Sequence, residues 1–288
     1  MAKGQRLEGV VIAVPTPLTK DENIDVSSLR RMLDHCIREG VNGIMLLGTI
    51  GEGTALLAPQ RRILVEESVA HVAGRTPVLA AVSAPSTRIA VSYAKDIEKS
   101  GIDYIVCTTP FYYKFPDPHS VLTHIKTIAD AVDVPLFFYN APLMTNNPVD
   151  VDTLEKILHI EKVAGVKDSS CHYNSFVELL RRYPDKEKRP GTIMQGDESV
   201  IDSSLLMGAD GIVSGAGVVF LKLLNDLYRA ATQNDRLRAM ELQRAFSHEV
   251  RSLLGPQFNR DWLSNIKKRM VDLKIFDDAT VTAPFLLD

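Results

Sequence analysis

Long apolar runs, basic tracts and a cysteine framework are all missing from this chain of 288 residues. No hydrophobic stretch approaches the roughly 20 residues that a membrane-spanning helix needs. The charged start, Met1-Ala2-Lys3-Gly4-Gln5-Arg6, leads into a β-rich run with no signal-peptide core. A soluble, cytoplasmic protein is therefore expected. The formal net charge is -3 with no basic tract, which argues against nucleic acid as the main partner and favours a small molecule. Cys36, Cys107 and Cys171 are odd in number and lack metal-finger spacing, so reduced thiols are expected. The histidines are scattered, with no two at ligand spacing beside a carboxylate, and metal-dependent chemistry is disfavoured. The glycines of 48–53 lead neither to Gly-Lys-Ser/Thr nor to a Rossmann spacing, which leaves a tight turn as the simpler reading there.

What the chain does contain is a repeated pair. Short apolar runs near Gly9–Val14, Gly43–Leu47, Pro77–Val82, Tyr104–Cys107, Pro135–Phe138, Val163–Lys167, Thr192–Gln195 and Gly211–Val213 read as strands. They are continuous rather than alternating, as strands buried on both faces should be. Helical patterns follow them near Val26–Glu39, Pro59–Val72, Ser86–Lys99, Pro118–Ala131, Val151–His159, Ser175–Tyr183, Glu198–Met207 and Val218–Ala230. Eight βα units in strict alternation, with no linker or low-complexity segment, predict an α/β fold, a (β/α)8 TIM barrel. Past Asn234 only helices remain, near Arg236–Leu254 and Asp261–Leu273. The expected division is a catalytic barrel over 1–232 and a carboxyl-terminal helical extension over 233–288, whose spare apolar face packs on the barrel or on a second subunit.

In such barrels chemistry sits in the loops after the strands. The run Val163-Ala164-Gly165-Val166 delivers Lys167 to one of those strand ends. A lysine there either pairs with Asp168, snorkels to water, or is held where burial lowers its pKa and frees the amine as a nucleophile toward carbonyls. Other strand ends supply Thr49 in Gly48-Thr49-Ile50-Gly51-Glu52, Tyr112 and Tyr113 in Pro110-Phe111-Tyr112-Tyr113-Lys114, and Tyr139 in Tyr139-Asn140. An amine, a hydroxyl and phenols suit iminium chemistry, in which the phenol and hydroxyl relay protons. Taken singly, Tyr139 serves equally well as a core aromatic, and Tyr112 and Tyr113 as a lid or interface. Ser214-Gly215-Ala216-Gly217 occupies a common phosphate-binding location in barrels, or simply lets the backbone approach a ligand.

Together these pieces resemble the dihydrodipicolinate synthase / N-acetylneuraminate lyase family of class I aldolases over nearly the whole chain. The resemblance rests on Pro15-Thr16-Pro17, Gly48-Thr49-Ile50-Gly51-Glu52, Thr109-Pro110-Phe111-Tyr112-Tyr113, Tyr139-Asn140-Ala141-Pro142, Gly165-Val166-Lys167-Asp168 and Gly196-Asp197-Glu198, in matching order and separation. It implies a barrel with a helical extension, a homotetramer built from tight dimers, and no metal or organic cofactor. It also implies that Lys167 forms a Schiff base with pyruvate or another 2-oxo acid, that Tyr139 moves protons, and that Thr49 links Tyr139 to a Tyr112 lent by the neighbouring subunit. Backbone N–H groups at Thr49-Ile50 would hold the substrate carboxylate, with Met144, Val213 and Gly215 also in the substrate site.

Three positions depart from the family pattern. Ile50 stands where a second hydroxyl residue is common, Val218 where an asparagine is familiar, and Met144 where the synthases of lysine biosynthesis carry an arginine for the second substrate's carboxylate. The expected activity is therefore a Schiff-base aldolase or lyase forming or cleaving a 4-hydroxy-2-oxo acid, with an uncharged aldehyde preferred. The alternatives are 4-hydroxy-tetrahydrodipicolinate synthase, which would need another cation such as Lys114, and a degenerate member that only binds a small ligand.

Overall fold

The computed structural model describes residues 6–115, 117–255 and 261–285; the amino-terminal run Met1–Gln5 lies outside them. Eight strands form a closed parallel barrel in sequence order: β1 (Gly9–Ala13), β2 (Gly43–Leu46), β3 (Val78–Ala81), β4 (Tyr104–Thr108), β5 (Leu136–Asn140), β6 (Val163–Asp168), β7 (Thr192–Gln195) and β8 (Gly211–Ser214), the last pairing with the first. Nearly every strand residue is buried, because one face fills the barrel and the other packs under the helices.

Helices α1 (Val26–Arg38), α2 (Ala58–Val72), α3 (Thr87–Glu98), α4 (Pro118–Asp130), α6 (Val151–Leu158), α7 (Tyr173–Arg182), α8 (Ile201–Leu206) and α9 (Leu221–Thr232) form the outer ring. Four of them begin where a side-chain oxygen accepts an otherwise orphaned backbone N–H: Asp25, Ser86, Asp117 and Asp150. At the amino-terminal end of the barrel the Asp210 carboxylate accepts from Ile193 N at 2.7 Å and from Arg189 Nη1 at 2.8 Å, with both side chains almost fully buried. The cavity lies at the other end, at the carboxyl ends of the strands, where Ala13, Tyr139 and Lys167 line it.

The structure departs from the sequence reading at three points, all at that end of the barrel. A short helix, α5 (Pro142–Thr145), follows β5 where none was expected. The helix expected from Glu198 begins at Ile201, because the Glu198 carboxylate is drawn across to the β8 loop, accepting from Ser214 Oγ, from Gly215 N at 2.9 Å and from Gly217 N at 3.1 Å. The helix expected from Val218 is split into a 3-10 turn over Ala216–Val219 and then α9.

The extension consists of α10 (Arg236–Leu254) and α11 (Trp262–Asp272), followed by an irregular tail. Ala239, Leu242 and Phe246 of α10 are buried where that helix packs on α8 and α9. The tail and α11 return to the barrel through one buried ion pair. Lys267 Nζ lies 2.5 Å from Glu52 Oε1, both side chains are fully buried, and Thr282 donates N–H and hydroxyl hydrogen bonds of 2.6 and 2.8 Å to the other Glu52 oxygen. Lys267 also donates to Thr280 O at 2.6 Å. Among the described residues no helix is long and apolar enough to cross a membrane.

Removing one partner of a buried pair strands the other charge. Lys267→Met should therefore cost about 3–5 kcal/mol, read from the urea unfolding midpoint, whereas Lys267→Met combined with Glu52→Gln should recover most of that loss. Equal midpoints for the single and double variants would remove this account.

Candidate active site

Register explains how the central pair is made. Tyr139 of β5 is aligned with Lys167 of β6, and the next residues, Asn140 and Asp168, are aligned with each other. Side chains alternate along a strand, so Tyr139 and Lys167 share one face and Asn140 and Asp168 share the opposite one. The Lys167 ammonium lies 4.0 Å from the centroid of the Tyr139 ring, a cation–π contact, and both residues are buried. Asp168 does not pair with Lys167. Its carboxylate accepts from Ser170 N at 2.8 Å and Asn140 Nδ2 at 3.2 Å, and burial still pushes its pKa above the ordinary carboxylate value.

The phenol of Tyr139 lies 3.4 Å from the Thr49 hydroxyl, a long hydrogen bond in which either oxygen can donate. Burial alone would push that phenol up. The Lys167 ammonium and hydrogen bonds from Thr49 and Ser169 outweigh it and bring the pKa below the usual tyrosine value.

Thr49 sits in a turn held from several sides. Thr16 Oγ1 donates to Gly51 O at 2.6 Å, Arg61 donates to Gly53 O, and Glu52 is gripped by Lys267 and Thr282. Among the described residues the backbone N–H groups of Thr49 and Ile50 have no hydrogen-bond partner.

These residues open into a cavity of about 590 Å³. Every expected substrate-site residue lines it: Thr49, Ile50, Met144, Val213 and Gly215 stand around Lys167 and Tyr139. Gly215 leaves room for Ile50, whose Cδ1 would have to swing aside for a Cβ there. Gly196 likewise gives room to Lys167, whose Cε would lie 2.9 Å from an added Cβ. Tyr112 is not among the lining residues. It is 81% exposed in the loop after β4, in the left-handed region at φ 80°, with its ring edge-on to Tyr113 at 5.0 Å.

The sequence reading missed an entire wall. Ser247, Val250, Arg251 and Leu254 of α10, at helical spacing, and Trp262 of α11 line the cavity. Among the described residues the cations lining it are Lys167 and Arg251, whereas the exposed Lys114 does not reach it. The helical face was visible in the sequence, but not which end of the barrel it would cover.

The profile described as the dihydrodipicolinate synthetase family matches residues 6–286. The chain belongs to that family. Members of the family are lyases of the Schiff-base aldolase kind, and this chain is such a lyase. It is 34% identical, over 82% of its length and 79% of the relative's, to a 4-hydroxy-tetrahydrodipicolinate synthase of Neisseria meningitidis. Among solved structures, dihydrodipicolinate synthase from Bacteroides thetaiotaomicron superposes with a TM-score of 0.90 at 28% identity, covering 97% of this chain and 93% of that one. A chloride-inhibited dihydrodipicolinate synthase from Acinetobacter baumannii, complexed with pyruvate, superposes at 0.87 with 25% identity, covering 98% and 94%.

Because the Lys167 ammonium lowers the Tyr139 pKa, Lys167→Met should raise it. The check is an alkaline absorbance titration in which the Tyr139 contribution is identified as the one lost in Tyr139→Phe. A midpoint that stays put would show that the ammonium does not set it.

Proposed function

We propose that the lyase acts on 2-oxo acids through Lys167, making or breaking the carbon–carbon bond of a 4-hydroxy-2-oxo acid. The observation carrying this reading is the Lys167 amine, buried at a strand end, lying over the Tyr139 ring at the floor of a cavity of about 590 Å³. The Lys167 ammonium gives up a proton, the free amine adds to the C2 carbonyl and water leaves, forming an iminium that withdraws electrons from C3. In cleavage, the C4 hydroxyl gives up its proton, the C3–C4 bond breaks, an aldehyde departs and the electron pair remains as an enamine. Protonation at C3 and hydrolysis of the iminium release the 2-oxo acid. Synthesis is the reverse, and the iminium supplies the electron sink without a cofactor.

Tyr139 is placed to carry these protons, with Thr49 as its neighbour in the relay. The open N–H groups of Thr49 and Ile50 suit the substrate carboxylate, and Ile50 adds apolar contact in place of a second hydroxyl. Synthesis of 4-hydroxy-tetrahydrodipicolinate is the second reading, favoured by the Neisseria relative's name and opposed by Met144 at the β5 loop. The assembly we propose is a homotetramer of tight dimers, in which the exposed Tyr112 serves the partner's site. Three free cysteines fit a reducing, cytoplasmic setting.

Borohydride added with pyruvate should leave a stable adduct on the intact mass, confined to Lys167 and absent from Lys167→Ala. An adduct that survives in Lys167→Ala would overturn the reading. Tyr139→Phe should reduce turnover by roughly 10²–10⁴-fold while trapping partly persists. A trapped adduct with no turnover of any aldehyde would instead support a binding-only protein.

For Tyr112, mixing inactive Tyr112→Phe and Lys167→Ala subunits should restore part of the activity, since one site of each mixed dimer regains both groups. Mixed dimers verified by mass but inactive would reduce Tyr112 to an interface residue.

A further inference from the structure

The charges around the cavity are not all spoken for. Glu198 is occupied by the Ser214 hydroxyl and the N–H groups of Gly215 and Gly217. Asp197 accepts from Ser199 N at 2.9 Å and Ser199 Oγ at 2.7 Å, an arrangement that caps its own turn. Lys167 is committed to the Schiff base in the reading above. Arg251 is the remaining charged side chain among the lining residues, and among the described residues no carboxylate pairs with it.

Its neighbours in the cavity wall are mostly apolar. The apolar side chains of Val250, Leu254, Met144 and Trp262 line the same cavity. Arg251 is itself solvent-exposed, so what it offers a ligand in the cavity is a planar, charge-assisted hydrogen bond rather than one strengthened by burial. The position also has a bland role, because Arg251 lies in the last turn of α10, where a cation favours the helix dipole. A helix-dipole role affects stability. It does not sort substrates by charge.

We infer that Arg251 is the specificity-determining residue for the aldehyde component, selecting one that carries an anionic group away from its carbonyl. The inference rests on the Schiff-base reading and reverses the preference for uncharged aldehydes that Met144 alone would give. The position after the fifth strand is the apolar Met144, and the cation enters the same cavity from the helical extension. A carboxylate is favoured over a phosphate, because Asp197 in the same cavity repels a dianion more than a monoanion.

The test uses the full-length protein with pyruvate and two matched pairs of aldehydes: succinic semialdehyde against butanal, and glyceraldehyde 3-phosphate against glyceraldehyde. Wild type should favour the anionic member of the first pair in kcat/KM by about 10–100-fold, the range of a hydrogen bond to a charged group. Arg251→Met should abolish that preference, chiefly through loss of succinic semialdehyde turnover, with pyruvate still trapped by borohydride on Lys167. Arg251→Lys should keep part of it, since the charge remains but the planar fork is lost. A larger preference for the phosphate pair, also lost in Arg251→Met, would keep Arg251 as the selector and overturn the choice of carboxylate. Unaltered ratios in Arg251→Met, with pyruvate still trapped, would overturn the role of Arg251. Failure of wild type to trap pyruvate at all would instead mark failure of the Schiff-base reading.

Discussion

The buried pair between Glu52 and Lys267 is the contact on which the arrangement of the cavity depends. Glu52 belongs to the turn that carries Thr49 and Ile50, and Lys267 belongs to α11, whose first residue, Trp262, lines the cavity. Taking both ions out of water is costly, and such pairs are weak contributors to net stability. What the pair fixes is placement. Burial pushes the Lys267 amine down while Glu52 favours its charged form, and the tail adds Thr280 and Thr282 to satisfy the remaining hydrogen-bonding capacity. An extension seated elsewhere would leave a charged carboxylate buried without a cation, so competing placements are penalised.

The barrel and the extension therefore divide the work. The strands carry Lys167 and Tyr139 at positions set by register, with their contact on the inner face and the Asn140–Asp168 contact behind it. The loops add a turn with open N–H groups and a glycine that makes room for Ile50. The extension adds the far wall of the cavity, through Ser247, Val250, Arg251, Leu254 and Trp262. That wall is built from elements other than those that hold the amine, the phenol and the hydroxyl.

The local features of this protein were determined by its sequence. Continuous apolar strands separated by capped helices specify a barrel, since backbone hydrogen bonding and the burial of both strand faces leave few other closed solutions. Lys167, Tyr139 and Thr49 were legible because each sits at a strand end, and strand ends of a parallel barrel converge on one mouth. The late starts of α8 and α9 were not legible, because they follow from Glu198 reaching across to the β8 loop rather than from local propensity. Nor were the partner of Glu52, the isolation of Lys167 from Asp168, or the entry of Arg251 into the cavity. Helical periodicity shows that Ser247, Val250, Arg251 and Leu254 share a face, but many orientations would bury a helix equally well. Only the docking of α10 and α11, selected by side-chain packing and by a buried charge that tolerates a single partner, decided which surface that face would cover.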